Sequence, residues 1–451
     1  MRRPHHVTRR RAAPALALVV ALAAPSPALA AGGGPAPNGS ESIGVVVSLL
    51  VLVSAAYLLA HFVVGRLQTR LLIVGGLEYL LLGAMLGPGT PAIRAFDQLD
   101  GLLPIIALAA GWIGLLRGTE FHIDQVRRSP PGTGRIVLLH HAVPGVLVAS
   151  GAYLFLQSGW VPHSLITGAA VSAAVLGCCA ACDSVEPFDV LAKRYEIGSQ
   201  LAPMLRNAAQ LGDVLIILAF GAVLCVFHPS TPGAEVPLSE AGWFLVMVGL
   251  GVGLGLLFRP FLGGDESDNA RFLALVGIII FASGAAYFLE LASLTVNLLL
   301  GIVLVHFARG GKLLHLTLER TERPMRLVLL VFAGALWEPP ALWPTVYGLG
   351  AFLLLRWVGK WLASVLASLG TGLRRDIYRG LMSHGEVTVA MAVSFRLFYS
   401  GAAVDIAYTV ILGSVVFWDL FAPRMLRTIL VEEGDLLREL PPSNGAAQEP
   451  A

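Results

Sequence analysis

A chain of 451 residues that is 56% hydrophobic and 13% charged, with mean hydropathy +0.75, is not a soluble globular domain; such domains carry about 25% charged residues. The net charge of +2 sums charges segregated by side of a membrane, so it identifies no partner, and no nucleic acid is expected. The four cysteines, Cys178, Cys179, Cys182 and Cys225, fall in apolar segments, which argues against a disulfide framework.

Residues 1–30 read as a targeting segment. Arg2, Arg3, Arg9, Arg10 and Arg11 precede an apolar stretch, Ala12–Ala24, that is too short to span a bilayer, and Ala28-Leu29-Ala30 is a small-x-small cleavage pattern. Residues 31–42, rich in Gly and Pro, read as a flexible periplasmic linker.

Apolar runs of spanning length then recur at 43–65, 70–87, 99–116, 136–157, 164–182, 202–227, 241–258, 270–288, 291–308, 324–337, 343–369, 378–398 and 403–422, thirteen in all. The run at 324–337 is the shortest, bounded by Glu338-Pro339-Pro340. Alternate loops are basic, from Arg66 and Arg70 through Arg117, Arg127, Arg128 and Arg135 to Arg424 and Arg427, while the intervening loops hold only Arg94. This charge pattern predicts an inner-membrane protein with its N-terminus periplasmic and its C-terminus cytoplasmic. The expected organisation is a transmembrane domain over 43–427, with inverted repeats at 43–227 and 270–422, followed by a short cytoplasmic tail at 428–451 with no soluble domain.

Two spans are interrupted. In the fifth, Cys182-Asp183-Ser184-Val185-Glu186-Pro187 cannot continue as a lipid-facing helix, and the twelfth repeats the theme with Ser383-His384-Gly385-Glu386. Broken helices in corresponding halves are a mark of inverted-repeat transporters. The predicted fold class is an all-α polytopic membrane protein of about thirteen helices, broken at the fifth and twelfth spans.

Buried charge locates the chemistry. Asp213 stands in the middle of the otherwise apolar sixth span, where a carboxylate costs about 2.5–3.5 kcal/mol on insertion. That cost points to a cation or proton site. Asp183 and Ser184 at the first break join it as candidate ion or proton ligands, although Asp183 and Glu386 also suit the capping of half-helices. Arg356 lies near the centre of the eleventh span with Lys360 one turn away on the same face. Both need partners, for which Asp213, Asp183 and Glu386 are available. Arg356, Lys360, Glu386, His384 and Gln210 are therefore read as supporting residues. Asp419 on the thirteenth span mirrors Asp213 at a different depth.

Other signals read as packing. The three cysteines of the fifth span are small residues beside an unwound backbone rather than a soft-metal site, and Gly249, Gly251, Gly253 and Gly255 are helix contacts. His140 and His141 are adjacent and so face different sides of one helix. No zinc-protease, serine-hydrolase or Walker pattern occurs, so neither an enzyme nor a metal or other cofactor is expected.

Several stretches resemble the monovalent cation:proton antiporter superfamily. They are Leu77-Glu-Tyr-Leu-Leu-Leu-Gly-Ala-Met-Leu-Gly-Pro88, Gly111 to Glu120, Cys182-Asp183-Ser184-Val185, Gly212-Asp213, and His384-Gly385-Glu386 with Arg356 about thirty residues before it. The resemblance extends over nearly everything after residue 42. It implies alternating access between a core and a dimerisation domain, a homodimer, and competition of a cation (sodium or potassium) with protons for Asp213. Gly212 and Ser184 depart from the superfamily's pattern, which has Asn or Asp before the Asp213 position and Pro after the Asp183 position. Without a second acid at 212, Arg356 is left to pair with Asp213 itself. A channel or uniporter on the same fold, or a transport-dead sensor, are the alternative readings.

Overall fold

The computed structural model describes residues 76–87, 102–157, 168–192, 194–198, 201–229, 238–261, 268–307, 311–338 and 340–439. The expected targeting segment, linker and first span lie outside these residues. Helix α1 (Leu77–Leu86) is the described part of the second span, and α2 (Leu103–Glu120) is the third. After a short α3 (Ile123–Arg128) come α4 (Thr133–Gln157), α5 (Ala169–Ala181), a break, and the short α6 (Glu186–Ala192). The Asp213 helix is α7 (Leu201–Val226), followed by α8 (Glu240–Phe258), α9 (Asp268–Phe288) and α10 (Ser293–Phe307). Helix α11 (Gly311–Ala335) is much longer than the apolar run read at 324–337. Its first half is too polar to register as a span, and Pro324 sits inside it. Helix α12 (Leu342–Ser368), a 3-10 turn at Ile377–Gly380, α13 (Glu386–Phe398) and α14 (Ala402–Glu433) complete the bundle. Eight helices among the described residues are long and apolar enough to cross a membrane. The fold is all-α and polytopic, with helices broken at the fifth and twelfth spans.

In lipid no hydrophobic effect drives helices together, so close backbone approach through small residues does much of the work. Helices α2 and α10 meet in this way. A Cβ on Gly118 would lie 3.0 Å from Gly301 Cα, and one on Gly301 would lie 2.7 Å from the Leu115 carbonyl. On α8, Gly251 and Gly255 face α10, whereas among the described residues Gly249 and Gly253 have nothing within 4 Å of where a Cβ would be. The alternate glycines are thus packing residues at two of the four positions.

The broken helices occupy the centre. Every residue of α13 from Glu386 to Phe395 is buried, as is nearly all of α5, while α4, α8 and α12 carry exposed apolar side chains such as Val146, Leu245 and Leu354 on their outer faces.

One feature departs from pure helix. Strand β1 (Tyr195–Ile197) pairs antiparallel with β2 (Leu436–Glu439), Tyr195 opposite Glu439. The chain after 427, read as a tail, continues as α14 to Glu433, turns through Gly434 in the left-handed region (φ 77°) and enters this pairing. Between them Asp435 caps α7. Its carboxylate accepts from the backbone N–H of Leu201 at 2.6 Å and of Ala202 at 2.9 Å, satisfying two of the donors that a helix start leaves open.

Candidate functional site

The two breaks cross in the core. Extended backbone at 182–184 and 382–385 has no helical ladder, so its carbonyls need donors from elsewhere. Ser383 donates its hydroxyl to the Ser184 carbonyl at 3.1 Å across the crossing. Gly385 is glycine there because a Cβ would lie 2.7 Å from Ser184 Oγ. Ser184 Oγ itself accepts from the Glu186 N–H at 3.2 Å, at the start of α6.

Most of the remaining donors come from α12. Arg356, fully buried, donates Nε to Ala180 O (3.0 Å), Nη1 to Met382 O (2.6 Å), and Nη2 to Cys182 O (2.9 Å) and Ser383 O (3.4 Å). A rigid guanidinium fork suits carbonyls that diverge from two chain segments. Lys360 Nζ donates to Ala181 O (3.0 Å), Asp183 Oδ1 (2.6 Å) and His140 O (3.0 Å). The last contact is set by sequence: Pro144 has no N–H, so the carbonyl four residues before it, that of His140, is left without its helical donor. Gly359 lets α12 approach α4 at this point, since a Cβ on it would lie 2.7 Å from Pro144 Cα.

These contacts correct the expected pairing of Arg356 with Asp213. Arg356 is held by carbonyls of both breaks, and the carboxylate near it is Asp183, at 3.9 Å. Asp183 is fully buried, with Oδ1 on Lys360 and Oδ2 facing His141 Nε2 at 3.7 Å. Asp213 is 2% exposed on α7 and accepts a weak contact from Cys182 Sγ at 3.6 Å. Among the described residues no basic side chain pairs with it; Arg117 acts on it only through space.

Arg117 is a second correction. Counted by sequence among the basic loop residues, it is 5% exposed at the end of α2 and binds Glu386 at 2.6 Å and Glu120 at 2.8 Å. Glu386 opens α13, so it both complements the helix N-terminus and pairs with Arg117. Beside it Glu186 pairs with Arg326 at 2.7 Å. Gly385, Glu386, Glu186, Arg326 and Asp419 line a small cavity of about 20 Å³, room for one water. Asp419 Oδ1 is buried there without a hydrogen-bond partner among the described residues.

His384 stays apart from the acids. Its ring nitrogens meet Thr388 Oγ1 and Ser414 Oγ, each at 3.2 Å, and it stacks on Phe352. Gln210 lies half-buried one turn before Asp213. The residues that sequence reasoning missed are Arg117, Arg326 and His141. A signal existed for the first in the i,i+3 spacing of Arg117 and Glu120 at the end of an apolar run. For His141 the adjacent pair misled, because α4 is buried on both faces at this level: His140 and His141 are 0% and 2% exposed. No group of metal-ligating side chains able to hold a metal ion occurs among the described residues, and the four cysteines are buried free thiols.

No protein-family model matches this sequence, and no curated protein matches it by sequence. Solved structures do match its fold. The sodium proton antiporter MjNhaP1 from Methanocaldococcus jannaschii, in a structure at pH 8, superposes with a TM-score of 0.58 at 17% identity, covering 86% of this chain and 100% of that one. An electron-microscopy structure of the same antiporter gives 0.55 at 16% identity, covering 90% and 100%. The chain therefore has the fold of a cation:proton antiporter.

Proposed function

We propose that this protein exchanges a monovalent cation for protons across the inner membrane by alternating access, with Asp213 binding the cation and the proton in competition. The observation that carries the reading is the contrast between Asp213 and the other intramembrane charges. Arg356, Lys360, Asp183, Arg117 and Glu386 all have charged or carbonyl partners within 3 Å, whereas among the described residues the side chain of Asp213 has a thiol contact and no basic partner. A buried carboxylate kept free of a basic partner is costly. The cost is recovered when a cation or a proton binds it, and those two states are what an exchanger alternates between. Asp183, anchored by Lys360, shapes the site beside Asp213, and Ser184 holds the crossing through its carbonyl. The fold neighbour MjNhaP1 is a sodium proton antiporter, so sodium is the cation to test first, with potassium beside it. One titratable carboxylate makes one cation per proton the simplest exchange, and a homodimer is the expected assembly.

The test is proton movement in proteoliposomes under an imposed pH gradient, read with a pH dye on adding sodium and then potassium. The expected outcome is cation-driven dissipation in the wild type that Asp213→Asn abolishes. Cation flux without proton movement would replace exchange by a channel, and a folded wild type with no cation response would make it a transport-dead relative.

A further inference from the structure

Gly212 and His141 share one volume. A Cβ built on Gly212 would overlap the Nε2 and Cε1 atoms of His141. The imidazole, reaching across from α4, takes the space that a side chain of α7 would fill immediately before Asp213. Its tautomer follows from its neighbours. Nδ1 lies 2.6 Å from the Val137 carbonyl, and a carbonyl can only accept, so Nδ1 carries the proton. In the neutral ring Nε2 is then an acceptor with a free lone pair.

That lone pair faces another acceptor. Nε2 is 3.7 Å from Asp183 Oδ2, and neither atom has a hydrogen-bond donor among the described residues, although both are buried. Asp183 cannot turn to relieve this, because its other oxygen is fixed by Lys360 at 2.6 Å. Two buried acceptors side by side call for a donor between them, since a buried acceptor left unmet forfeits the hydrogen bond it would make with water. A water molecule fits that demand, having two O–H groups and needing no charge of its own. Asp213 follows Gly212 on α7, and its Oδ1 lies 3.6 Å from Sγ of Cys182, the residue immediately before Asp183.

We propose that His141 Nε2 and Asp183 Oδ2 together hold a water molecule carried by the partly hydrated cation bound at Asp213, so that His141 is a specificity-determining residue of the ion site and Gly212 is glycine to admit it. This rests on the exchange reading above. It assigns a role to a histidine that the sequence pattern discounts. It also accounts for a missing side chain at 212 by an imidazole supplied from another helix.

The test measures, in proteoliposomes, the sodium concentration for half-maximal dissipation and the maximal response separately. His141→Ala is expected to raise the former by about tenfold, the loss of one hydrogen bond to a charged assembly, with the maximal response within about twofold. His141→Gln, which returns an amide oxygen as acceptor, brings the concentration back toward the wild-type value. Gly212→Ala, which pushes the ring aside, shifts it in the same direction as His141→Ala. A wild type that responds to sodium together with an unshifted His141→Ala overturns the proposal and leaves exchange standing, as does a loss of maximal response alone, the mark of a purely structural residue. A wild type without any cation response removes the exchange reading and this proposal with it. Should His141→Ala fail to assemble, ¹⁵N-histidine NMR of the wild type decides: the His141 Nε2 resonance moves on adding sodium chloride if the proposal holds, and stays fixed if it fails.

Discussion

At the residue scale, a proline and a lysine explain much of the core. Pro144 removes one N–H from α4, the His140 carbonyl loses its helical partner, and Lys360 supplies the replacement while binding Asp183 and the Ala181 carbonyl. One ammonium with three donors thus satisfies a proline gap, a helix break and a buried acid. Its removal leaves all three unmet. Lys360→Ala is expected to destabilise the protein by about 3–5 kcal/mol, the usual cost of breaking a buried pair from one side, read as a lowered midpoint of thermal unfolding in detergent. An unchanged midpoint would mean that water replaces Lys360 and that the centre is wetter than its burial implies. The candidate residues were legible here because charges stand out in apolar runs. Their pairings were not. Arg117 and Glu386 meet at 2.6 Å from 269 positions apart, and nothing local to either names the other.

At the scale of elements, each apolar run from the second onward coincides with a described helix, because lipid demands uninterrupted apolar helices and water demands the opposite between them; the ends were less legible, as α2 runs to Glu120 rather than 116 and α14 to Glu433 rather than 422. The run at 324–337 was shortened by the same logic, since the polar first half of α11 is hidden from a hydropathy reading although the helix continues through it. How helices meet depends on which glycines face a neighbour, and that is invisible along the chain. Gly118 lies against α10 and Gly253 meets none of the described residues, though both sit in glycine-rich helices. Gly118→Ala is expected to cost about 1–3 kcal/mol through overpacking, whereas Gly253→Ala stays within about 0.5 kcal/mol. Thermal unfolding of the two variants side by side checks the difference. Equal effects would refute the α2–α10 contact as the reason for glycine at 118.

At the scale of the whole molecule, two devices tie the end of the chain to the bundle. The β1–β2 pair and the Asp435 cap hold the start of the Asp213 helix. A surface cluster joins Arg374 and Arg379, in the connection before α13, to Glu432 at the end of α14, with Arg374 also binding Asp376 at 2.9 Å. The hydrogen bond from Arg374 holds the Asp376 carboxyl below its ordinary value. A lowered folded value means that this aspartate stabilises the protein fully above the unfolded value of about 3.9 and that the contribution is lost as pH falls through the lowered one. The side chains are about a third exposed, so the contribution is small and salt weakens it. Between pH 5 and 3 the unfolding midpoint should therefore fall more steeply for the wild type than for Arg374→Ala, with the gap closing in high salt. Parallel curves would mean the cluster contributes nothing. The sequence by itself determined a polytopic helical protein, the places where its helices break and several of its buried charges, Asp183, Asp213, Arg356, Lys360 and Glu386, because a bilayer penalises polar groups one residue at a time and leaves that penalty readable along the chain. Only the tertiary structure decided which charge meets which: Arg356 on the crossing carbonyls, Lys360 on Asp183, Arg117 on Glu386, His141 in the space of residue 212, and Asp213 without a basic partner among the described residues. Those assignments depend on distances between segments far apart in the chain, and a one-dimensional pattern carries no such distances.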